Sequence, residues 1–147
     1  MEIKDLINMA LEAREKAYAP YSNFYVGAAL LTKEGEVFTG CNVENAGFSA
    51  TNCAERTAFF KAVSEGKKSF QKIVIVGGVE GPVTQYCAPC GVCRQVMIEF
   101  CDPKEFVVIL AKSPTEYKEY LLEELLPLGS YPGDTAGPEF FQKGTNI

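Results

Sequence analysis

Apolar residues recur at helical spacing through Ile3, Leu6, Ile7, Ala10, Leu11 and Ala13, which predicts an amphipathic helix over residues 3–17. Pro20, Ser22 and Asn23 interrupt that pattern. Residues 24–31 are apolar, small or β-branched, and Lys33-Glu34-Gly35-Glu36 forms a turn before Val37-Phe38-Thr39-Gly40, the pattern of a β-hairpin. A polar loop over residues 42–52 leads into a predicted helix over 53–64, followed by a short buried strand over 73–78. Gly81-Pro82 opens a second loop that ends at Pro89-Cys90, where another helix starts and runs to about Phe100. A strand over 106–110, a weaker one over 117–120 and a short helix over 122–126 complete the pattern. A hairpin followed by β-α-β-α-β alternation predicts an α/β fold, a mixed sheet covered by helices. From Pro127 onward Gly and Pro are frequent and periodicity fades, so residues 1–127 read as the domain and 128–147 as a tail.

Two of the loop-to-helix junctions carry chemistry. Cys53-Ala54-Glu55 lies at one and Pro89-Cys90-Gly91-Val92-Cys93 at the other. Backbone N–H groups and the positive end of a helix favour thiolates at such positions, and the Cys90-x-x-Cys93 spacing lets one helical turn present both sulfurs. Three thiolates suit a zinc ion, and a catalytic zinc keeps its fourth position open where a structural one is closed by four protein ligands. The chain contains no histidine, which leaves Glu55 as the leading proton carrier. Zinc with three thiolates carries a surplus negative charge. Arg56, three residues after Cys53, and Arg94, four after Cys90, can each lean over the neighbouring ligand and withdraw some of it. Plainer readings stand beside these. Glu55 at a helix start complements the dipole, both arginines suit a solvated face, and Cys87 could join Cys53, Cys90 and Cys93 in a closed structural site. Cys41 and Cys101 read as small buried hydrophobes.

The 147 residues are 47% hydrophobic and 22% charged, an ordinary balance for a globular domain, with a net charge of −5. An acidic chain argues against tracking phosphate backbones, so no nucleic-acid partner is expected, while a neutral nucleoside stays open. The N-terminus alternates charge and lacks a signal-peptide run, and no stretch is long enough to span a membrane. Six cysteines without a leader fit a reduced, cytoplasmic chain.

A metal ligand two residues before Glu, followed by Pro-Cys-x-x-Cys, is the general zinc-deaminase signature. With Tyr18-Ala19-Pro20-Tyr21-Ser22-Asn23-Phe24, Val26-Gly27-Ala28-Ala29-Leu30-Leu31, Gly40-Cys41-Asn42-Val43-Glu44-Asn45-Ala46, Cys53-Ala54-Glu55-Arg56, Pro89-Cys90-Gly91-Val92-Cys93-Arg94-Gln95 and Glu124-Leu125-Leu126-Pro127, the chain resembles the small zinc-dependent cytidine deaminases. The resemblance implies a three-layer α/β/α sandwich, a catalytic domain over 1–127, and a homotetramer with active sites at subunit contacts. It also implies hydrolysis of cytidine and deoxycytidine to the uridines and ammonia. Asn42 and Glu44 would hold the ribose hydroxyls, Phe24 would lie against the base, and the backbone near Ala54 and Cys90 would meet the exocyclic amine or the carbonyl. If residues 37–44 stay extended, Asn42 and Glu44 point to one face and can bracket a sugar. Glu55 would shuttle the proton between the attacking water and the pyrimidine.

Two positions depart from the family. Phe48 stands where many relatives have a tyrosine that reaches a neighbouring subunit's sugar. Leu128-Gly129-Ser130-Tyr131-Pro132 replaces a stretch with a stacking phenylalanine, and Tyr131 could take that place from a shifted position. The tail through Phe140-Phe141 is expected on a partner subunit or as a mobile end. Rival readings are a blasticidin S deaminase, which Glu44 argues against, a nucleic-acid editor, and a non-catalytic zinc-stabilised domain with Cys87 as fourth ligand.

Overall fold

Side chains that alternate along β1 (Phe24–Thr32) divide the molecule into layers. Val26, Ala28 and Leu30 point into one core, Ala29 and Leu31 into the other. In the computed structural model, which describes residues 1–127, both cores are capped by helices. On one face α1 (Ile3–Arg14) lays Leu6, Ile7 and Ala10 against Ala29, Leu31, Val74, Val76 and Ile109. On the other, α2 (Ala54–Ser64), α3 (Gly91–Phe100) and α4 (Leu122–Leu125) enclose Leu30, Ile73, Ile75, Val108 and Leu110. This is the expected α/β/α sandwich. A sheet covered on both faces explains why its central strands are nearly continuous apolar runs.

Completing the sheet are β2 (Val37–Cys41), β3 (Phe70–Val79), β4 (Val107–Ser113) and β5 (Glu116–Leu121), in the order β2-β1-β3-β4-β5. β1 pairs antiparallel with β2 and with β3, β3 and β4 are parallel, and β5 returns antiparallel to β4. The parallel pair requires a crossover, and α3 supplies it. A single 3-10 turn (Phe48–Ala50) interrupts the loop between β2 and α2.

The elements fall where the pattern predicts, with differences at their ends. α1 stops at Arg14 instead of residue 17, because the N–H groups of Glu15, Lys16 and Ala17 turn to the carbonyls of Glu12, Ala13 and Arg14, three residues back, and tighten the last turn. The Arg14 side chain meanwhile donates to the carbonyls of Tyr25, Gly78, Val79 and Gly81 at 2.9, 3.0, 2.7 and 2.8 Å. β3 outruns the predicted 73–78 because its partner β1 is nine residues long, and pairing extends from Phe24↔Val79 to Thr32↔Phe70. Phe70 thereby reaches Phe59, edge to face at 5.0 Å between ring centres. The expectations for the tail, including Tyr131, Phe140 and Phe141, lie outside the described residues. Among the described residues, no helix is long and apolar enough to cross a membrane.

Two glycines let helices sit directly on the sheet. A Cβ at Gly27 would lie 2.1 Å from Ala10 O in α1, and one at Gly40 would lie 2.4 Å from Ala54 O and 2.6 Å from Ala58 N in α2. Those neighbours are backbone, so the helix itself would have to move. Overpacking of this kind costs about 1–3 kcal/mol. Gly40→Ala is therefore expected to lower stability by at least about 2 kcal/mol and, because α2 follows directly on Cys53 and carries Glu55, to lower the metal binding expected of that junction as well. Urea unfolding together with metal analysis of the purified variant measures both effects.

Candidate active site

Cys53 and Cys90 are the N-cap residues of α2 and α3, each in extended backbone just ahead of the first turn. A sulfur there meets unsatisfied backbone donors; Cys90 Sγ accepts from Cys93 N at 3.4 Å. Because α2 and α3 start at the same place, Cys53 Sγ and Cys90 Sγ lie 3.7 Å apart and Cys90 Sγ and Cys93 Sγ 3.2 Å apart. All three sulfurs fall within 4.8 Å of one another. A tetrahedral zinc with Zn–S of about 2.3 Å separates its sulfurs by roughly 3.8 Å, so the triad fits the ion.

The electrostatics favour an anionic sulfur cluster. A hydrogen bond from the Cys93 thiol, helped by Arg56, brings Cys53 down to about 5, while Cys93, the donor in that pair, is pushed up. Arg56 Nη2 donates to Cys53 Sγ at 3.2 Å, as the sequence predicts. Its Nε is buried with no hydrogen-bond partner, a desolvated cation that surplus negative charge on the sulfurs would offset.

Arg94 requires a correction. It does not lean on a sulfur; Nε donates to Pro89 O at 2.8 Å and Nη1 to Leu125 O at 2.9 Å. Both carbonyls lack helical donors, one just before α3 and the other at the end of α4, and a guanidinium satisfies such groups readily. Arg94 thus braces the loop that carries Cys90.

Cys87 stands apart from the ligand group, which among the described residues consists of Cys53, Cys90 and Cys93. Its side chain packs over Gly77, where an added Cβ would lie 2.9 Å from the sulfur, and burial pushes its thiol up to about 12. The thiol is half-buried, packed against β3 at the wall of the cavity and held neutral, so the closed four-cysteine arrangement is not formed.

A cavity of about 310 Å³ opens beside the triad, lined by Phe24, Asn42, Glu44, Ala54 and Glu55 along with Cys53 and Cys90. Glu55 is only 4% exposed, and burial raises its carboxyl to about 7, with the charge of Cys53 adding to the shift. The chain stays extended past β2, where Val43 bridges to Tyr18 and Asn52, and this places Asn42 and Glu44 on one face. Asn42 accepts from Val26 N at 2.9 Å through Oδ1 and donates to Phe24 O at 2.8 Å through Nδ2, tying the cavity wall to the start of β1. Each end of the amide can form one further bond. Ser22, read from sequence only as a helix breaker, and Asn52 also line the cavity. Their one sequence signal is position, Ser22 falling inside the Tyr18–Phe24 segment.

Residues 1–110 match the family described as the cytidine and deoxycytidylate deaminase zinc-binding region. A cytidine deaminase of Sporosarcina psychrophila is 50% identical over 127 residues, covering 86% of this chain and 90% of that protein. The chain belongs to the cytidine deaminase family. The crystal structure of a cytidine deaminase from Burkholderia pseudomallei superposes with a TM-score of 0.79 at 49% identity, over 88% of this chain and all (100%) of the other. A blasticidin-S deaminase of Bacillus cereus is more distant, 33% identical over 129 residues, covering 84% of this chain and 89% of that one. The zinc-binding region of the cytidine deaminase family includes the Cys53, Cys90 and Cys93 triad, so zinc is the cofactor.

Cys87→Ala should leave zinc at one ion per chain, at a stability cost of about 1 kcal/mol for the small cavity; metal analysis checks this, and loss of the ion would make Cys87 a ligand. Glu55 gives a pH-dependent expectation for the zinc-stripped protein. Its carboxyl is raised from 4.5 to about 7 in the fold, so its favourable neutral burial is complete below about 4.5 and is lost as pH rises through 7. At pH 8 the buried charge costs on the order of 3 kcal/mol. Glu55→Gln should then stabilise the stripped protein at pH 8 and leave it nearly unchanged at pH 5 in paired urea titrations.

Proposed function

We propose that this chain deaminates cytidine and deoxycytidine by hydrolysis, yielding the uridines and ammonia. The observation that carries the reading is a buried carboxyl, Glu55, in one cavity with zinc-ligand sulfurs at one end and polar side chains of sugar-binding type at the other. When bound, zinc supplies the Lewis acidity that makes water a nucleophile at neutral pH. Glu55 is placed to take a proton from the attacking water, to pass it to N3 of the pyrimidine as C4 is attacked, and to carry the proton of the new C4 hydroxyl to the amino group, so that the C–N bond breaks and ammonia leaves. A carboxyl raised to about 7 suits both acceptance and delivery near neutrality. Phe24 bounds the base, Ala54 contributes backbone beside it, and Asn42 and Glu44 receive the ribose hydroxyls. Arg56 draws charge from Cys53.

Several finer points belong to the same proposal. The assembly is a homotetramer with its active sites at subunit contacts. Phe48, 91% exposed on its 3-10 turn, together with exposed Tyr21 and Val43, supports this as an apolar surface suited to a partner. Residues 1–127 form the catalytic domain. Six free cysteines fit a reducing cytoplasm. The net charge of −5 fits a nucleoside better than a nucleic acid, and no lysine or arginine is found among the described residues lining the cavity to welcome a phosphate.

Ammonia release should be measured across cytidine, deoxycytidine, cytosine, cytidine monophosphate and blasticidin S. Turnover is expected on the two nucleosides, with little on the rest. Glu55→Ala should retain zinc and lose cytidine turnover by about a thousandfold, within the range removed with a general acid-base group. Preference for blasticidin S would favour the antibiotic deaminase, and activity on none of the five would sink the enzyme reading.

A further inference from the structure

We propose that Ser22 is a positioning residue for sugar recognition, its hydroxyl fixing the Glu44 carboxylate in the orientation that receives the ribose. This rests on the reading that Glu44 binds the sugar and adds a residue to which that reading gives no role. Glu44 is only partly buried at the cavity rim, on a side chain with several free torsions. Left alone, such a group would be ordered only at an entropic cost when substrate arrives. Here it is ordered in advance. Oε1 accepts from the backbone N–H groups of Tyr21 and Ser22 at 3.0 and 3.1 Å, and Oε2 accepts the Ser22 hydroxyl.

The direction of that last bond is fixed by chemistry. An ionised carboxylate only accepts, so the hydroxyl proton lies toward Glu44. Ser22 Oγ in turn accepts from Phe24 N at 3.0 Å. One hydroxyl therefore joins the residue beside the base to the residue beside the sugar. The turn that presents it is tightly specified: Asn23 adopts a left-handed φ of 56°, which asparagine tolerates, and its N–H closes on Ala19 O at 3.0 Å. Ser22 itself is exposed, so its hydroxyl is not required to satisfy a buried cavity. The bond from Ser22, ahead of the two backbone bonds, also holds the Glu44 carboxyl below its ordinary range, which keeps it acceptor-only. With two donors on Oε1 and one on Oε2, the lone pair that remains free is on Oε2, and it is available to a sugar hydroxyl.

The zinc-loaded full chain tests this with Ser22→Ala, Ser22→Thr and Glu44→Gln on cytidine and on 2′,3′-dideoxycytidine, which lacks both hydroxyls. Ser22→Ala should raise KM for cytidine about tenfold, the scale of one charge-assisted hydrogen bond, and leave kcat within about twofold. On dideoxycytidine its KM should match that of the wild type within about twofold, and Ser22→Thr, which keeps the hydroxyl, should restore the KM for cytidine. Equal losses on both substrates, a fall confined to kcat, or no rescue by threonine would overturn the inference. If Glu44→Gln raises KM for cytidine while Ser22→Ala does not, the positioning role alone fails. If Glu44→Gln leaves it unchanged, the sugar reading of Glu44 fails and takes this inference with it.

Discussion

The structure depends on two helices beginning at one point. α2 and α3 are separated in sequence by the whole of β3, yet Cys53 and Cys90, their N-caps, place sulfurs 3.7 Å apart. Both helices present unsatisfied backbone N–H groups and a positive dipole end toward the thiolates, so the local field favours the charged form. The convergence needs α2 pressed flat on the sheet. Gly40 provides for this, since any side chain there would displace the backbone of Ala54 and Ala58. A glycine on the edge strand thus fixes the position of a metal ligand one helix away.

That geometry concentrates negative charge, and the two arginines beside it answer different needs. Arg56 reaches Cys53 Sγ because three residues along a helix bring its guanidinium back over the N-cap. Arg94, four residues after Cys90, also lies one turn along its helix, but two orphan carbonyls lie within reach, at Pro89 and Leu125. Neutral acceptors left bare by helix ends compete well for a guanidinium when they are held in place. Helical spacing predicts which residues are near a ligand. It does not reveal which acceptors the tertiary fold brings closer, and Leu125 is distant in sequence.

Much of the site was legible for the same reason that some of it was not. Cys53, Glu55, Cys90 and Cys93 lie at loop-to-helix junctions, where local pattern determines direction, and the structure places them together. Asn42 and Glu44 could be read because strand alternation carries through Val43. Cys87 stayed ambiguous in sequence because C-x-x-C spacing says nothing of where Gly77 lies, and it is the gap over Gly77 that captures its sulfur. The ends of α1 and β3 escaped for a related reason. A last turn tightened to i→i+3 bonds leaves the hydrophobic spacing unchanged, and the length of a partner strand is a tertiary fact. Ser22 was hidden by its type, since a serine in a turn rarely needs more explanation than the turn itself.

The cavity holds two carboxyl groups, and their surroundings drive them apart. Glu55 is enclosed, with desolvation the largest influence, and rises to about 7. Glu44 sits at the rim with three donors on it and is held below its usual range, chiefly by Ser22. Opposite shifts in neighbouring carboxyls are a physical basis for assigning different roles. A group near neutrality can both take and give a proton, whereas one firmly ionised can only accept hydrogen bonds. On the proposed roles, exchanging the environments would weaken both ends of the site: a Glu55 held at a low pKa would be a poor base toward water, and a protonated Glu44 would offer a hydroxyl fewer lone pairs. The sequence places one glutamate at a helix start and the other beyond a strand end. It is the folding of a zinc-ligand helix over the first and a serine turn around the second that makes them chemically unlike.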